Sequence, residues 1–242
     1  GAYRSQIHGR DPFVFAPGQY GNAARFNGID QSIQVGNHAD FDFRNASVTI
    51  SAWFTIDIIP CQFADNVTTC VPDFDSNLDF RLFSKGAGQN QFNAHVGAFG
   101  SFTFNSVWTP VISAKEWHHL VGVADHVNSL NSLYLDGQLV KTAPGTMNRT
   151  EFPLTFGAVP HNGVLSRHLL GTLDDIAIWN RPLAPVEVAQ LWGSGKSLAA
   201  LAEIEIAPAI DRDGDGATDE SEALAGTDPD DKRDFLHITR IL

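Results

Sequence analysis

The feature that most constrains the fold is an alternating stretch, ASVTISAWFTIDII, at residues 46–59. Apolar side chains occupy every second position from Val48 to Ile58, and most positions between them are polar. A period of two residues over this length predicts a β-strand with one face in a hydrophobic core. Trp53 shares the parity of the polar residues, so the opposite face of the same strand carries an indole ring.

Further strands are expected along most of the chain. Asp136-Gly137 lies between two apolar runs in SLYLDGQLVKT (132–142) and predicts a tight hairpin, because a type I′ turn requires positive φ at both central positions. The stretch HLLGTLDDIAIWN (168–180) predicts another strand. Short strands divided by Gly, Asn, Asp and Pro indicate an antiparallel sandwich. APVEVAQLW (184–192) predicts a helix, with Pro185 near its start and Gly193 after its end.

Charge and hydropathy limit the classes of partner. The formal net charge is −12 over 242 residues, so the overall field would repel a phosphate backbone and disfavours nucleic acid. There is no run of 18 apolar residues, so no transmembrane helix is expected. We therefore expect neither nucleic-acid binding nor membrane insertion.

Five stretches, taken together and in this order, resemble one superfamily: GQYGNAARFNGIDQSIQV, ASVTISAWF, WHHLVGVAD, LYLDGQLV and GTLDDIAIWNRPLAPVEVAQLW. They are similar to the concanavalin A-like lectin/glucanase superfamily, specifically the LamG-like jelly rolls related to laminin G modules and pentraxins. The resemblance covers roughly residues 18–193 and implies an all-β fold, an antiparallel β-sandwich. Pentraxins carry an acidic calcium loop where this chain has AVPHNG, so that pair of calcium ions is not expected here.

Catalysis is not expected from the residues present. Glycoside hydrolysis needs two carboxylates across the scissile bond. Glucanase relatives place them on one strand as Glu-x-Asp-x-x-Glu, and this sequence has no such arrangement. Glu116, Glu151 and Glu187 are isolated from one another. The chain is therefore interpreted as non-catalytic.

Two places are candidates for a sugar ligand, which needs an aromatic platform and nearby hydrogen-bonding groups. Trp108 lies in FNSVWTP, outside the motifs that carry the resemblance, and is the candidate platform; packing over the sandwich is the alternative. PHNGVLSRH (160–168) reads as a long polar turn, with a solvated loop as its alternative. The candidate ligand-binding residues of this turn are His161, Asn162, Arg167 and His168.

The two cysteines, Cys61 and Cys70, bracket a polar segment. A disulfide closing this loop would imply an oxidising compartment and would add roughly 2–3 kcal/mol of stability. Two free thiols are the alternative.

The segment DRDGDGATDESE (211–222) holds six carboxylates in twelve positions. A hard cation with six or seven oxygen ligands makes such crowding favourable, and the spacing fits the EF-hand pattern, with Gly216 at the sharp turn. The segment through residue 231 resembles bacterial thrombospondin type 3-like and dockerin-like calcium repeats. A solvated acidic linker is the alternative. The predicted Ca²⁺ ligands are Asp211, Asp213, Asp215, the carbonyl of Ala217, Asp219 and Glu222.

A second, weaker calcium site is suggested by Asp174 and Asp175, which lie inside an apolar strand. A buried carboxylate needs a partner. Calcium shared with Asp30 would serve, as in some LamG-like relatives, and hydrogen bonds from backbone N–H groups are the alternative.

Three parts are expected: a sandwich over 1–196, a linker over 197–210, and the calcium loop with the start of a further segment over 211–242. The leading hypothesis is a non-catalytic, extracellular glycan-binding module with a calcium-stabilised linker, within a larger bacterial secreted or surface protein. A protein–protein adhesion or spacer module is the second hypothesis, and a polysaccharide hydrolase or lyase the third.

Overall fold

The structure is a computed structural model that describes residues 5–10, 12–35, 41–58, 79–85, 93–97, 101–104, 107–145, 152–161 and 164–198. For residues 5, 79–80, 93, 96–97, 101–104, 107–111 and 161 it describes the backbone alone. The predicted disulfide, the linker beyond residue 198 and the predicted calcium loop lie outside the described residues. These three predictions remain predictions.

Nearly all of the described secondary structure is β-strand, as the alternating sequence predicts. The strands are β1 (Ser5–His8), β2 (Val14–Pro17), β3 (Asn22–Asn27), β4 (Ser32–Val35), β5 (Val48–Ile56), β6 (Asp79–Ser84), β7 (Asn93–Gly97), β8 (Ser101–Phe104), β9 (Val107–Val111), β10 (His118–Asp125), β11 (Leu130–Leu135), β12 (Gln138–Pro144), β13 (Leu154–Phe156), β14 (Val159–His161), β15 (Val164–Ser166) and β16 (Leu170–Trp179). One helix, α1 (Pro185–Gly193), follows them.

The strands form two seven-stranded sheets. Sheet A has the order β1-β4-β13-β6-β7-β8-β9, and sheet B has the order β12-β11-β10-β5-β16-β3-β2. Neighbouring strands pair antiparallel, as in the pairs of β5 with β10 and of β6 with β7. β14 and β15 form a separate hairpin. The predicted all-β antiparallel sandwich is confirmed.

The core lies between the sheets and consists of the apolar side chains at alternate positions of the strands. In β5, Val48, Ile50, Phe54 and Ile56 are fully buried. From sheet A, the inward residues include Leu82 and others of the same hydrophobic cluster. A long run of buried aliphatic and aromatic side chains on one parity is what holds the two sheets face to face.

The predicted turn and helix are both present. Asp136 and Gly137 have φ values of 51° and 75°, so both central turn residues have the positive φ that the Asp-Gly signal predicts. Helix α1 begins at Pro185, and the Glu187 carboxylate accepts a hydrogen bond from the Ala184 N–H at 2.7 Å, which satisfies one donor at the start of the helix. Arg181 donates two further hydrogen bonds to Glu187.

The segment 160–168 differs from the long polar turn that its composition suggests. Val159–His161 and Val164–Ser166 pair antiparallel, with His161 opposite Val164, so a two-residue connection joins them. The physical reason is in the sequence: Asn162-Gly163 is a strong signal for a two-residue hairpin turn. Val159 is fully buried, which fixes the base of the hairpin.

Candidate functional site

A cross-strand row on sheet A connects the two predicted ligand-binding places. Arg81 of β6 lies opposite His95 of β7, His95 lies opposite Thr103 of β8, and Thr103 lies opposite Trp108 of β9. Directly opposed residues in antiparallel strands belong to the same face of the sheet. The backbone register therefore places position 108 three strands from Arg81, about 14 Å away.

The row belongs to the outer face of sheet A. Ala94 is fully buried in the core between the sheets, and successive residues of a strand point to opposite faces. His95 therefore faces outward, and so does Arg81, whose guanidinium Nη1 lies 3.1 Å from His95 Nδ1. We call this row, positions 81, 95, 103 and 108, the sheet A row.

The β14–β15 hairpin meets the sheet A row at its β6 end. The backbone N–H of Arg81 donates to the carbonyl of Arg167 at 3.1 Å, so the residue that follows β15 lies directly beside the row. Arg167 is partly exposed and has a φ of 57°. The structure thus brings Trp108 and Arg167, predicted from separate parts of the sequence, to the two ends of one row.

The Arg81–His95 contact fixes the hydrogen-bonding character of the imidazole. A guanidinium only donates, so Nδ1 of His95 accepts and the ring proton is on Nε2. Arg81 is 6% exposed, whereas His95 is partly exposed. Arg81 therefore holds the ring in one orientation, in which Nε2 is a donor.

Of the other residues predicted to bind a ligand in the segment 160–168, the structure describes the side chain of His168 alone. His168 is 4% exposed, so its prediction as a surface ligand residue is corrected: it is a buried residue at the entry to β16. The following residue explains this, because Leu169 is fully buried and its N–H donates to the carbonyl of Gly157. The side chain of His161 and all of Asn162 lie outside the described residues, as does the side chain of Trp108.

The structure does not bring Asp30, Asp174 and Asp175 together. β16 pairs with β3 so that Leu173 lies opposite Ala24 and Leu170 opposite Asn27, which places Asp174 near one end of β3 and Asp30 beyond the other. No group of three or more His, Cys, Asp or Glu residues suited to a metal ion occurs among the described residues. The suggested shared calcium is therefore not supported by this arrangement.

Hydrogen bonds from backbone N–H groups serve these carboxylates instead. Asp174 is 8% exposed and accepts from the N–H of Tyr20 and from the N–H of Asp175, both at 2.8 Å. Asp175 accepts from the N–H of Leu198 at 2.8 Å, and burial raises the pKa of its carboxyl. Backbone donors to a carboxylate are the alternative that the sequence left open.

Asp30 is held separately, in the turn between β3 and β4. The side-chain amide of Asn27 and the N–H of Arg10 each donate to it at 3.0 Å. The bond from Asn27 is the main reason that the pKa of the Asp30 carboxyl is lowered.

The outer face of sheet B carries an aromatic cluster rather than an open platform. Trp53 stacks on Trp192 of α1 with ring centroids 5.1 Å apart, and Tyr20 meets Trp53 edge to face at 5.8 Å. Trp53 is only 5% exposed. The parity of Trp53 is thus explained by the docking of α1, and its ring is not available to a large ligand.

A cavity of about 460 Å³ lies between the two sheets. It is lined by Ala24, Phe26, Ile33, Val35, Phe41, Leu154, Phe156, Leu173, Ile176, Ala177 and Ile178. None of these side chains can form a hydrogen bond, so the cavity does not suit a hydroxyl-rich ligand. The sheet A row has polar groups that are partly exposed, the His95 imidazole and Arg167 at the β6 end.

Sequence reasoning missed Arg81 and His95. Both occur in short strands whose alternation is visible in DFRLFS and NAHVG. Their partnership depends on the register between β6 and β7, which includes an irregularity between Arg81 and Phe83. Such a bulge changes the face of the sheet to which the following side chains point, and a single sequence does not predict it.

Comparison with solved structures supports the fold. The binding domain of Paraclostridial Mosquitocidal Protein 1 superposes with a TM-score of 0.59 at 16% identity, covering 79% of this chain and 47% of that chain. Domain 4 of AbnA, a GH43 extracellular arabinanase from Geobacillus stearothermophilus, in complex with arabinotriose, has a TM-score of 0.50 at 17% identity, covering 77% and 87%. A Trypanosoma rangeli sialidase in complex with sialic acid has a TM-score of 0.54 at 16% identity, covering 76% and 29%.

These similarities concern the fold alone, because each identity is below one fifth. The chain spans about half the length of the mosquitocidal binding domain and less than a third of the sialidase. The structural neighbours thus include both binding domains and sialidases. No curated protein sequence matches the chain.

None of the helical structure in the described part of the chain has the length and apolarity that a membrane-spanning helix requires. A sequence model of one family, Laminin_G_3, described as concanavalin A-like lectin/glucanases superfamily, matches residues 27–189, which is more than half of the chain. The match includes the sheet A row and most of helix α1. The chain belongs to the Laminin_G_3 family of the concanavalin A-like lectin/glucanases superfamily.

Proposed function

We propose that this chain is a non-catalytic carbohydrate-binding module whose ligand lies along the sheet A row. The observation that carries the proposal is the register that puts Trp108, His95 and Arg81 in one row, with Arg167 at its end. An indole offers a flat apolar surface to the C–H face of a sugar, and the Nε2 donor of His95 suits a hydroxyl group.

The length of the row favours an oligosaccharide over a single sugar. Position 108 and Arg81 are separated by three strand spacings, about 14 Å. That distance is several times the reach of one hydrogen bond, which is about 3 Å. The arabinotriose complex of AbnA domain 4, which shares the fold, supports a ligand of this size class.

The wider setting is also proposed. The segment 211–222 binds one Ca²⁺ ion and stiffens the connection to a further segment of a larger secreted or surface protein. The module then raises the local concentration of polysaccharide for an attached enzyme, or holds a cell to a polysaccharide. The acidic net charge of −12 favours a neutral glycan over a strongly anionic one.

The test is a glycan array in millimolar Ca²⁺, followed by titration of the best ligand with Trp108→Ala and His95→Ala. We expect each variant to lower affinity about tenfold or more, equivalent to about 1.4 kcal/mol. Trp192→Phe, an aromatic substitution on sheet B, is the matched control and should bind as the parent does. Far-UV and near-UV circular dichroism verify that each variant is folded.

Two results would contradict the proposal. Binding to no glycan would favour a protein–protein adhesion or spacer module. Glycan binding that is unchanged in Trp108→Ala and His95→Ala would place the ligand elsewhere on the molecule. Calorimetric titration of Ca²⁺ into the full chain, compared with Asp213→Asn, tests the metal proposal separately.

A further inference from the structure

His119 of β10 lies at the contact between sheet B and helix α1. Its ring is 4.8 Å from the ring of Trp53 and 6.0 Å from that of Trp192, measured between centroids. It is 1% exposed. The imidazole therefore packs against both indoles at the place where the C-terminal end of α1 meets the sheet.

The hydrogen bonding of this ring suits only the neutral form. Nε2 lies 2.8 Å from the hydroxyl of Ser51. Nδ1 is buried and has no partner among the described residues. A proton added to the ring would place a second N–H and a full charge in this site, and a buried charge without a hydrogen-bond partner is strongly unfavourable.

The charged and titratable groups around His119 do not offset this cost. Asp136, in the β11–β12 turn, accepts from the backbone N–H of His119, but its carboxylate is also bound to the His118 ring at 2.9 Å. Asp174 of β16 lies opposite Trp53 and is engaged by two backbone N–H groups. Tyr20 contributes a phenol, and the part of α1 at this contact is Trp192.

Burial is the main cause of the lowered pKa of His119, which falls from 6.5 to about 4, and the nearby Asp136 charge opposes the change. The two indole faces would favour a cation, but a cation–π contact is a smaller effect than full desolvation. The closed arrangement thus binds a proton about 300-fold more weakly than a solvated imidazole.

We propose that His119 is an acid-sensitive contact that holds the C-terminal end of α1 on sheet B while its ring is neutral and releases that end when the ring is protonated. Release lets the ring reach water and exposes Trp53 and Trp192. Because the open form takes up the proton at the ordinary pKa, the equilibrium between open and closed forms shifts toward the open form by about 30-fold between pH 8 and pH 5.

The experiment is hydrogen exchange of α1 amides in the full chain at pH 8 and pH 5, with each rate divided by the rate of an unstructured amide at that pH. The N–H groups of Val188 and Ser194, which bond to the carbonyls of Ala184 and Gln190, report the helix. We expect protection to fall about 30-fold at pH 5, and most at the Ser194 end.

Variants identify the group responsible. His119→Phe keeps an aromatic ring against the two indoles and should abolish the difference between the two pH values. His126→Gln, in the β10–β11 turn, is the matched control and should retain it. If His119→Phe does not fold, His119→Gln replaces it, and an NMR titration of the unmodified protein gives the pKa of His119 directly.

Three results would overturn the inference. These are equal protection of α1 at both pH values, an unchanged pH dependence in the His119 variant, and a measured His119 pKa near 6.5. Each contradicts a different step: the release of the helix, the residue that controls it, or the burial that drives it.

Discussion

The outer faces of the two sheets carry similar residue types but are used differently. On sheet B, Thr49 and Ser51 are almost fully buried. The hydroxyl of Thr49 donates to the carbonyl of Arg181 and accepts from the N–H of Leu183. The polar side chains of β5 thus hold the segment that leads into the helix. The sheet A row, on the opposite side of the molecule, instead has the partly exposed imidazole of His95, which is bonded to the buried guanidinium of Arg81.

The difference shows that polar side chains at alternate positions identify the outer face of a strand. They do not show what covers that face. In β5 the cover is α1 and the segment before it, which supply Val188 and Leu183 to a small second hydrophobic cluster with Val121 and Tyr134. Where the polar side chains of a face form hydrogen bonds with a packed segment, that face contributes to the stability of the folded protein. We expect substitutions on sheet B to change stability, and substitutions in the sheet A row to change affinity.

The strongest test of this division is Trp53→Ala. The ring is 5% exposed and contacts Tyr20, His119 and Trp192, so its removal should lower the free energy of unfolding by about 3–5 kcal/mol. Urea unfolding followed by far-UV circular dichroism measures the loss. The affinity of the folded fraction for glycan should be unchanged; a matching loss of affinity would show that the two faces are coupled.

Gly137→Ala tests how closely the β11–β12 turn approaches helix α1. A Cβ atom at Gly137 would lie 2.6 Å from Trp192, and the residue has a φ of 75°. The strain of a positive φ and the collision together should cost about 2–4 kcal/mol.

Gly21→Ala is the matched control for the collision. Gly21 has a φ of 70° but nothing lies within 4 Å of its added Cβ, so the cost should be only the backbone strain, about 1–2 kcal/mol. The difference between the two variants, measured by urea unfolding, isolates the contact with Trp192. Equal losses would mean that the helix moves aside at little cost.

Asp136→Asn tests the charge that lies beside the two histidines. The bond to the Asp136 carboxylate raises the pKa of His118, so the folded protein holds that proton more tightly than the unfolded chain does. This stabilisation is fully present below pH 6.5, the ordinary value, and is lost as pH rises through the raised pKa. The asparagine keeps an acceptor for the His119 N–H and tolerates positive φ.

We therefore expect Asp136→Asn to be less stable than the parent by about 1–2 kcal/mol at pH 6 and by clearly less at pH 9. Urea unfolding at the two pH values gives the comparison. His118→Gln in the Asp136→Asn background is the control, since no pH-dependent difference from this pair should remain. A deficit that grows with pH would contradict the assigned cause.

The sequence predicted the framework better than the surfaces. Alternation in β5, the Asp136-Gly137 turn and the punctuation of α1 depend on local chemistry, and each is confirmed. The Asn162-Gly163 pair is also a local signal for a hairpin turn. The two strands beside it have only three residues each, which is too short for an alternating pattern to be recognised in the sequence. Local rules thus decide where elements begin and end.

The candidate site depends on long-range register, which no local rule supplies. The chemistry of Trp108 and Arg167 alone makes them candidates, and only the pairing of four strands places them at the ends of one row. The same reasoning predicts His168 as a ligand residue, yet its side chain is buried in the structure. A single sequence shows side-chain type and spacing but not the exposure of a residue near a strand end.

The smallest expected effect comes from the uncovered end of sheet B, where Arg25 pairs with Asp57. One of its two hydrogen bonds is 2.7 Å long, but the side chains of Arg25 and Asp57 remain 33% and 31% exposed. Asp57→Asn should cost only about 0.5–1 kcal/mol in low salt, and the difference from the parent should shrink in 1 M NaCl.

Asp42→Asn is the control for the Asp57 substitution, because Asp42 pairs with Arg44 only two residues away and both are more exposed. It should cost less than Asp57→Asn in low salt, as measured by urea unfolding in parallel. If Asp57→Asn instead lowers the free energy of unfolding more than Gly137→Ala does, the stabilising contacts of sheet B are not concentrated beneath α1. Coverage by helix α1 would then not explain which substitutions on sheet B change stability.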